Sequence, residues 1–181
     1  MCGASTVTVA TGSGPYNEQV KVDSIRKSNL NDLLVINGNG ETLTATPTAS
    51  NFVVFDISRI DDFKVKKLTV QGLSNTYGIG FAIRNRANKI TIDSCTVNLA
   101  AVTSITSANS SGIAFTSSLT SAAIGADNGD SCTISNNSIV GGAAGGPYWG
   151  ISMYGALNAT LDYNVVSNNS VNDFYTNGIY G

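Results

Sequence analysis

Hydrophobic and polar residues alternate with a period of two in short stretches of this chain, and one such stretch recurs. In Asn88–Val97, NKITIDSCTV, Ile90 and Ile92 are apolar while Thr91 and Asp93 are polar, as in a strand with one buried face. Related stretches are Asp61–Val70 (DDFKVKKLTV), Asp130–Ile139 (DSCTISNNSI) and Asn158–Val166 (NATLDYNVV). Aligning Val65, Ile92, Ile134 and Leu161 gives spacings of 27, 42 and 27 residues. The long spacing reads as one coil with an inserted loop. Five residues beyond each lies a further apolar residue: Val70, Val97, Ile139 and Val166.

A second strand family interleaves with the first: FVVFDI (Phe52–Ile57), YGIGFAI (Tyr77–Ile83), SGIAFT (Ser111–Thr116), WGISMY (Trp149–Tyr154) and NGIY (Asn177–Tyr180). Two interleaved families with a coil-length period predict a solenoid. A sandwich would show hairpins with two-residue turns at much shorter intervals. The expected fold is all-β, a single-stranded parallel β-helix forming one domain over 1–181. Residues 1–50 hold less regular first coils, with GSGP and NGNG as turns. Residues 51–181 hold the regular coils, with an insertion near 99–131. Helix is expected almost nowhere, and Asp23–Asp32 is read as loop. Both ends look cut, because NGIYG stops in mid-strand and no leader precedes the first strand, so the chain is expected to be a piece of a longer one.

Stacking equivalent residues about 4.8 Å apart sorts side chains into columns. Inward on one sheet are Phe63/Val65, Ile90/Ile92, Cys132/Ile134 and Ala159/Leu161. Inward on the other are Val53/Phe55/Ile57, Ile79/Phe81/Ile83, Ile113/Phe115, Ile151/Met153 and Ile179. Asn137 and Asn164 share a turn column with Leu68 and Cys95 and are expected to form an amide ladder. Cys95 and Cys132 fall in different columns and are expected to be buried thiols. Outward beside the first column run Lys64/Lys66, Thr91/Asp93, Thr133/Ser135 and Thr160/Asp162, with Lys66 expected to pair with Asp93. Thr91, Thr133 and Thr160 make one column beside charges, too little for an ice-binding array.

Composition narrows the function. The chain has 181 residues, a net charge of −2 and 12% charged residues, so nothing marks a nucleic-acid surface. No apolar run is long enough for a membrane-spanning helix. The chain lacks histidine, which excludes His-based triads, His general bases and His zinc ligands. Three cysteines without a CxxC pair do not make a metal motif, and no cofactor is expected.

GPYNEQVKV (Gly14–Val22), ITIDSCTV, CTISNNSIVGG (Cys132–Gly142) and the GI-strands YGIGFAI, WGISMYG and NGIYG resemble the right-handed parallel β-helix repeats of the pectin-lyase-like superfamily. The likeness is nearest to β-helix regions of secreted or surface-displayed bacterial proteins. It implies a right-handed helix, a secreted or cell-surface location, and a polysaccharide or cell-surface glycan as partner. The superfamily includes lyases, glycoside hydrolases, esterases, adhesins and stalks. Gly14-Pro15-Tyr16-Asn17-Glu18 is also similar to the G-x-Y-x-E start of pectin methylesterases. The Q-D-T motif of those enzymes is missing, and Asp173-Phe174-Tyr175-Thr176 only echoes their D-F-I-F-G. Tyr16 and Glu18 are therefore read as structural.

Three groups of candidate functional residues emerge. Asp93 and Asp162, taken as two coils apart, would stand roughly 9–10 Å from each other, within the range of an inverting glycosidase. Asp127 and Asp130, in Asp127-Asn128-Gly129-Asp130, could offer oxygen ligands to a hard cation. Arg59, Arg84, Arg86 and Lys89 are placed at turns without an acidic cluster opposite. The outward face of the GI-strands reads as a small, flat floor, Gly80/Ala82, Ala114/Thr116 and Ser152/Tyr154, walled by Leu99–Ser110 and Ser117–Ser131. Beside it gather Tyr148, Trp149, Tyr154, Tyr175 and Tyr180, residues suited to stacking on sugar rings. The expected function is a non-catalytic exported β-helix segment, a surface stalk, adhesin or glycan-contacting module. The alternative is part of a polysaccharide-active lyase, hydrolase or esterase.

Overall fold

The computed structural model describes residues 4–24, 33–103, 110–124, 129–142, 146–153 and 164–180. Their strands form three parallel sheets, and the chain visits one after another in every coil. The first sheet stacks β1 (Ser5–Thr8), β4 (Leu34–Asn37), β7 (Asp61–Lys66), β10 (Asn88–Asp93), β13 (Thr133–Ser135) and β16 (Val165–Ser167). The second stacks β2 (Tyr16–Asn17), β5 (Thr42–Ala45), β8 (Thr69–Gly72), β11 (Thr96–Asn98), β14 (Ser138–Val140) and β17 (Ser170–Asn172). The third stacks β3 (Val20–Asp23), β6 (Val53–Ser58), β9 (Ile79–Arg84), β12 (Ser111–Phe115), β15 (Trp149–Ser152) and β18 (Asn177–Tyr180). This is a parallel β-helix. The apolar residues five positions beyond Val65, Ile92, Ile134 and Val166, namely Val70, Val97, Ile139 and Val171, belong to a sheet of their own, so the two expected strand families are three.

A left-handed residue turns the chain from the first sheet into the second. Lys67 (φ 52°), Ser94 (φ 55°), Asn136 (φ 58°) and Asn168 (φ 55°) hold this place in successive coils. Only the two asparagines are residue types that favour it. The next residue in each coil points inward, giving the column Leu68, Cys95, Asn137 and Asn169. Asn137 Oδ1 accepts from Cys95 N at 2.9 Å, and Asn137 Nδ2 donates to Ile92 O at 3.0 Å and to Asn169 Oδ1 at 2.9 Å. Asn169 Nδ2 donates to Ile134 O at 2.8 Å. The amide ladder is present, but its second rung is Asn169 and not Asn164.

That substitution reflects a register slip of five residues. Val166 pairs with Ile134 and Val171 with Ile139. Val166 thus takes the place assigned to Leu161, and the last coil step is 32 residues, as between Cys132 and Asn164. Leu161, with Ala159 and Thr160, lies outside the described residues. Asn164 instead follows Ile90 and Cys132 in their column, and its Oδ1 accepts from Cys132 N at 2.7 Å.

The core is a dry stack of Phe55, Phe81, Phe63, Val65, Ile90, Ile92, Val97 and Ile113, all at most 2% exposed. Burial of this kind contributes about 25 cal/mol per Å² of apolar area. The third sheet runs so close to the second that side chains are excluded at its glycines. A Cβ on Gly80 would stand 2.4 Å from Val97 Cγ1, and one on Gly112 2.3 Å from Ile139 Cγ2. The Gly of each GI-strand therefore faces inward, next to an inward-facing apolar residue. Strict alternation breaks there, and the residues before the glycines turn outward. Ile79, directly before Gly80, accordingly packs with an outer apolar cluster and not with the central core, and Val53, which pairs with Ile79 but precedes Val54, joins the same cluster.

Candidate functional site: the aromatic edge of the third sheet

The outward turn of the residue before each glycine carries Trp149 to the outer face of the third sheet. Tyr148, one residue earlier, sits at the edge of that face. The two rings meet edge to face at 4.8 Å. The next coil adds Tyr175, 5.6 Å from Tyr148, and Tyr180, stacked 5.5 Å from Trp149. Backbone pairing continues past the strand ends to hold these rings: Tyr175 N donates to Pro147 O at 3.1 Å and Thr176 N to Tyr148 O at 3.2 Å, and the Thr176 hydroxyl donates to the same carbonyl at 2.9 Å. Four of the five aromatics singled out in the sequence thus form one continuous strip. The fifth, Tyr154, lies outside the described residues. A second stack on the same face, Phe52 on Tyr77 at 4.5 Å, was not singled out. Its signal was Tyr77 standing directly before the GI-strand, as Tyr148 stands before Trp149-Gly150-Ile151.

Exposure along the strip is uneven. Trp149 is only 6% exposed, whereas Tyr175 is 52% exposed. The reason is a cap. Ser117–Ile124 folds over the face that the sequence presents as an open floor, where Ala82, Ala114 and Ser152 are all 0% exposed. Phe52 N donates to Leu119 O at 2.8 Å, Ser152 Oγ to Ala122 O at 3.2 Å, and Thr116 Oγ1 to Ser121 O at 2.6 Å. Beneath the cap, Arg84 and Asp56 make a two-pronged ion pair, Nε–Oδ1 2.7 Å and Nη2–Oδ2 2.8 Å. Arg84 also donates to Ser117 O at 3.4 Å. Arg84 is therefore the last residue of β9 and an anchor for the cap, not a turn residue. The floor is covered because Ala82 and Ala114 are small enough for a second apolar layer to sit on them.

Asp93 is the acidic candidate on the first sheet's outer face. Its partner is Lys64, with Nζ 3.1 Å from Oδ2, and not the expected Lys66. The lysine arm reaches diagonally across one coil. Asp93 Oδ1 also accepts from Asn136 Nδ2 at 2.9 Å and Ser135 Oγ at 3.1 Å. These donors, Asn136 foremost, hold its carboxyl below the usual carboxylate range. A general acid requires the opposite shift. The column two coils beyond Asp93 holds Ser167, the residue paired with Ser135. Asp162 lies outside the described residues, and the column that made it a partner of Asp93 belongs to Ser167.

The remaining described candidates lie in the core, in strands and at turns. Cys95 and Cys132 are free and buried, and burial pushes their thiols up to about 11 and about 12, far from a reactive thiolate. Tyr16 opens β2 and packs on the core. Gly14 N donates to Glu41 Oε2 at 2.9 Å, closing the GSGP turn. Asp130 follows Gly129 (φ 85°) in a turn, and Asp127 lies outside the described residues. Among the described residues, no group of three His, Cys, Asp or Glu could hold a metal ion, and no helix is long and apolar enough to cross a membrane. In comparisons with known proteins, no family model, curated protein or solved structure matches the chain.

Proposed function

We propose that this chain is a non-catalytic segment of an exported, right-handed β-helix of the pectin-lyase-like kind. It serves as a surface stalk or adhesin and touches glycans at the edge formed by Tyr148, Tyr175 and Tyr180. The observation that carries this reading is the gathering of aromatic rings from two coils into one strip, with Tyr175 half exposed at its rim. Trp149 supports the strip from beneath, so sugar contact falls to the tyrosines. Aromatic faces beside hydroxyl and amide groups suit the apolar faces of sugar rings. Asp93 favours the non-catalytic side, since its acceptor capacity is taken up by Lys64, Ser135 and Asn136.

A glycan array run with wild type and Tyr175→Ala tests this. The expected result is binding to a polysaccharide or surface glycan, weakened about tenfold in the variant, the equivalent of about 1.4 kcal/mol. Absence of binding by wild type, or equal binding by both proteins, would remove the glycan claim.

A further inference from the structure

The aromatic edge extends back into the middle of the stack. There the same edge of the third sheet carries Phe52 and Tyr77, whose rings stack at 4.5 Å. Register joins the two groups into one row. Val53 pairs with Ile79, Ile79 with Ser111 and Ser111 with Trp149. Tyr77 and Tyr148 thus stand just ahead of strands two coil steps apart, about 10 Å along the stack at about 4.8 Å per step. Both pack on the one outer apolar cluster that holds Phe52 and Trp149. Each is half-buried and rests against a buried ring, Tyr77 on Phe52 and Tyr148 on Trp149. Their strands, β9 and β15, have a neighbour on either side, so this exposure belongs to interior coils. The turn that brings in Tyr77 adds two exposed residues, Leu73 (48%) and Asn75. From residue 46 onward, the described residues on the turns into the third sheet include one charged group, Asp173.

Resting on the glycan reading above, we propose that this row is a platform for a neutral β-1,4-linked polysaccharide of the cellulose, mannan or chitin kind. The chain lies along the stack with one face of its ribbon on Tyr77 and Tyr148. Spacing is the first reason. An extended β-1,4-linked hexose chain is a flat two-fold ribbon, and each sugar advances by nearly the rise of one coil. The same face returns at every second sugar, so rings two coil steps apart meet the first and third sugars alike. Compact, branched or helical glycans do not repeat an apolar face at that interval. Aromatic faces take up the C–H faces of the sugars, and Asn75 and Thr176 supply amide and hydroxyl groups alongside. Charge is the second reason. A uronate chain would bring carboxylates to an edge whose charged group is itself the carboxylate of Asp173, and like charges repel.

Isothermal titration with cello-, manno- and chito-oligosaccharides, from disaccharide to hexasaccharide, tests the platform. Wild type should bind at least one series, with affinity rising about tenfold from disaccharide to tetrasaccharide as the second ring is reached. Tyr77→Leu keeps an apolar group on the outer cluster but removes the ring, and it is expected to melt with wild type by circular dichroism. It should hold the disaccharide nearly as well as wild type and lose the gain with length. The wild-type length series decides by itself even if the variant melts early. Wild-type affinity that does not depend on length overturns the platform, and so does a gain with length that survives in Tyr77→Leu. Binding to other glycans but to none of these series also overturns it, and leaves the broader glycan reading standing. Absence of binding to any glycan removes both.

Discussion

Asn137 shows how a single residue sets the turn between two sheets. It is 2% exposed, and its amide serves Cys95 N, Ile92 O and Asn169 at once. Removing it leaves a buried donor and a buried acceptor unpaired, and each such group costs about 1–3 kcal/mol. Asn137→Ala should therefore lose about 2–3 kcal/mol in urea unfolding, whereas Asn172→Ala at an exposed site should stay within about 0.5 kcal/mol. Equal stability of the two variants would contradict the ladder. An asparagine ladder was legible from the Asn-rich turns, but its members were not. The period-two pattern of NATLDYNVV fits a core strand as well as that of YNVVSNNSV, so hydrophobicity alone left the register free. The polar signal was the better guide: Ser135-Asn136-Asn137-Ser138 returns as Ser167-Asn168-Asn169-Ser170. Left-handed backbone plus coil-to-coil amide bonding ties that motif to one place in the coil.

At the scale of elements, the third sheet departs most from its sequence reading. Its glycines are legible as a repeated GI, but not the reason for them. Close approach of the second sheet forces an inward glycine, which turns Ile79 and Trp149 outward, and with Val53 of the preceding coil they create a second apolar layer. The segment Ser117–Ile124 then has a face to cover, and Arg84 with Asp56 fixes it there, their side chains 8% and 7% exposed. Breaking one member of a buried ion pair costs about 3–5 kcal/mol, while replacing both by apolar residues is often nearly neutral. Arg84→Met should lose stability in that range and expose Ser117–Ile124 to proteolysis. Arg84→Met with Asp56→Leu should regain most of the loss. A single variant as stable and protease-resistant as wild type would show that the pair does not hold the cap.

The whole molecule is a stack of coils, and its architecture was readable because the coils repeat one physical solution: alternating apolar residues, a left-handed turn, a second short strand, then a third that carries a glycine from β9 onward. The candidate site was readable in part. The aromatics were found because they crowd the C-terminal end of the chain, yet their burial was hidden. Whether Trp149 faces solvent depends on a cap more than twenty residues earlier, and no local pattern reports it. The common register of the coils underlies the ladder, the cap and the aromatic strip alike. On the second sheet, Thr42, Thr69, Thr96, Ser138 and Ser170 stand in one outer column. Four coil steps of about 4.8 Å separate the backbones of Thr42 and Ser170 by about 19 Å. The most direct measurement is the electron–electron dipolar coupling between spin labels at Thr42→Cys and Ser170→Cys, in a Cys2→Ser background where the buried thiols stay unlabelled. A narrow distribution centred near 20 Å is the expected result; a broad one, or one centred beyond about 30 Å, would contradict the stacked register.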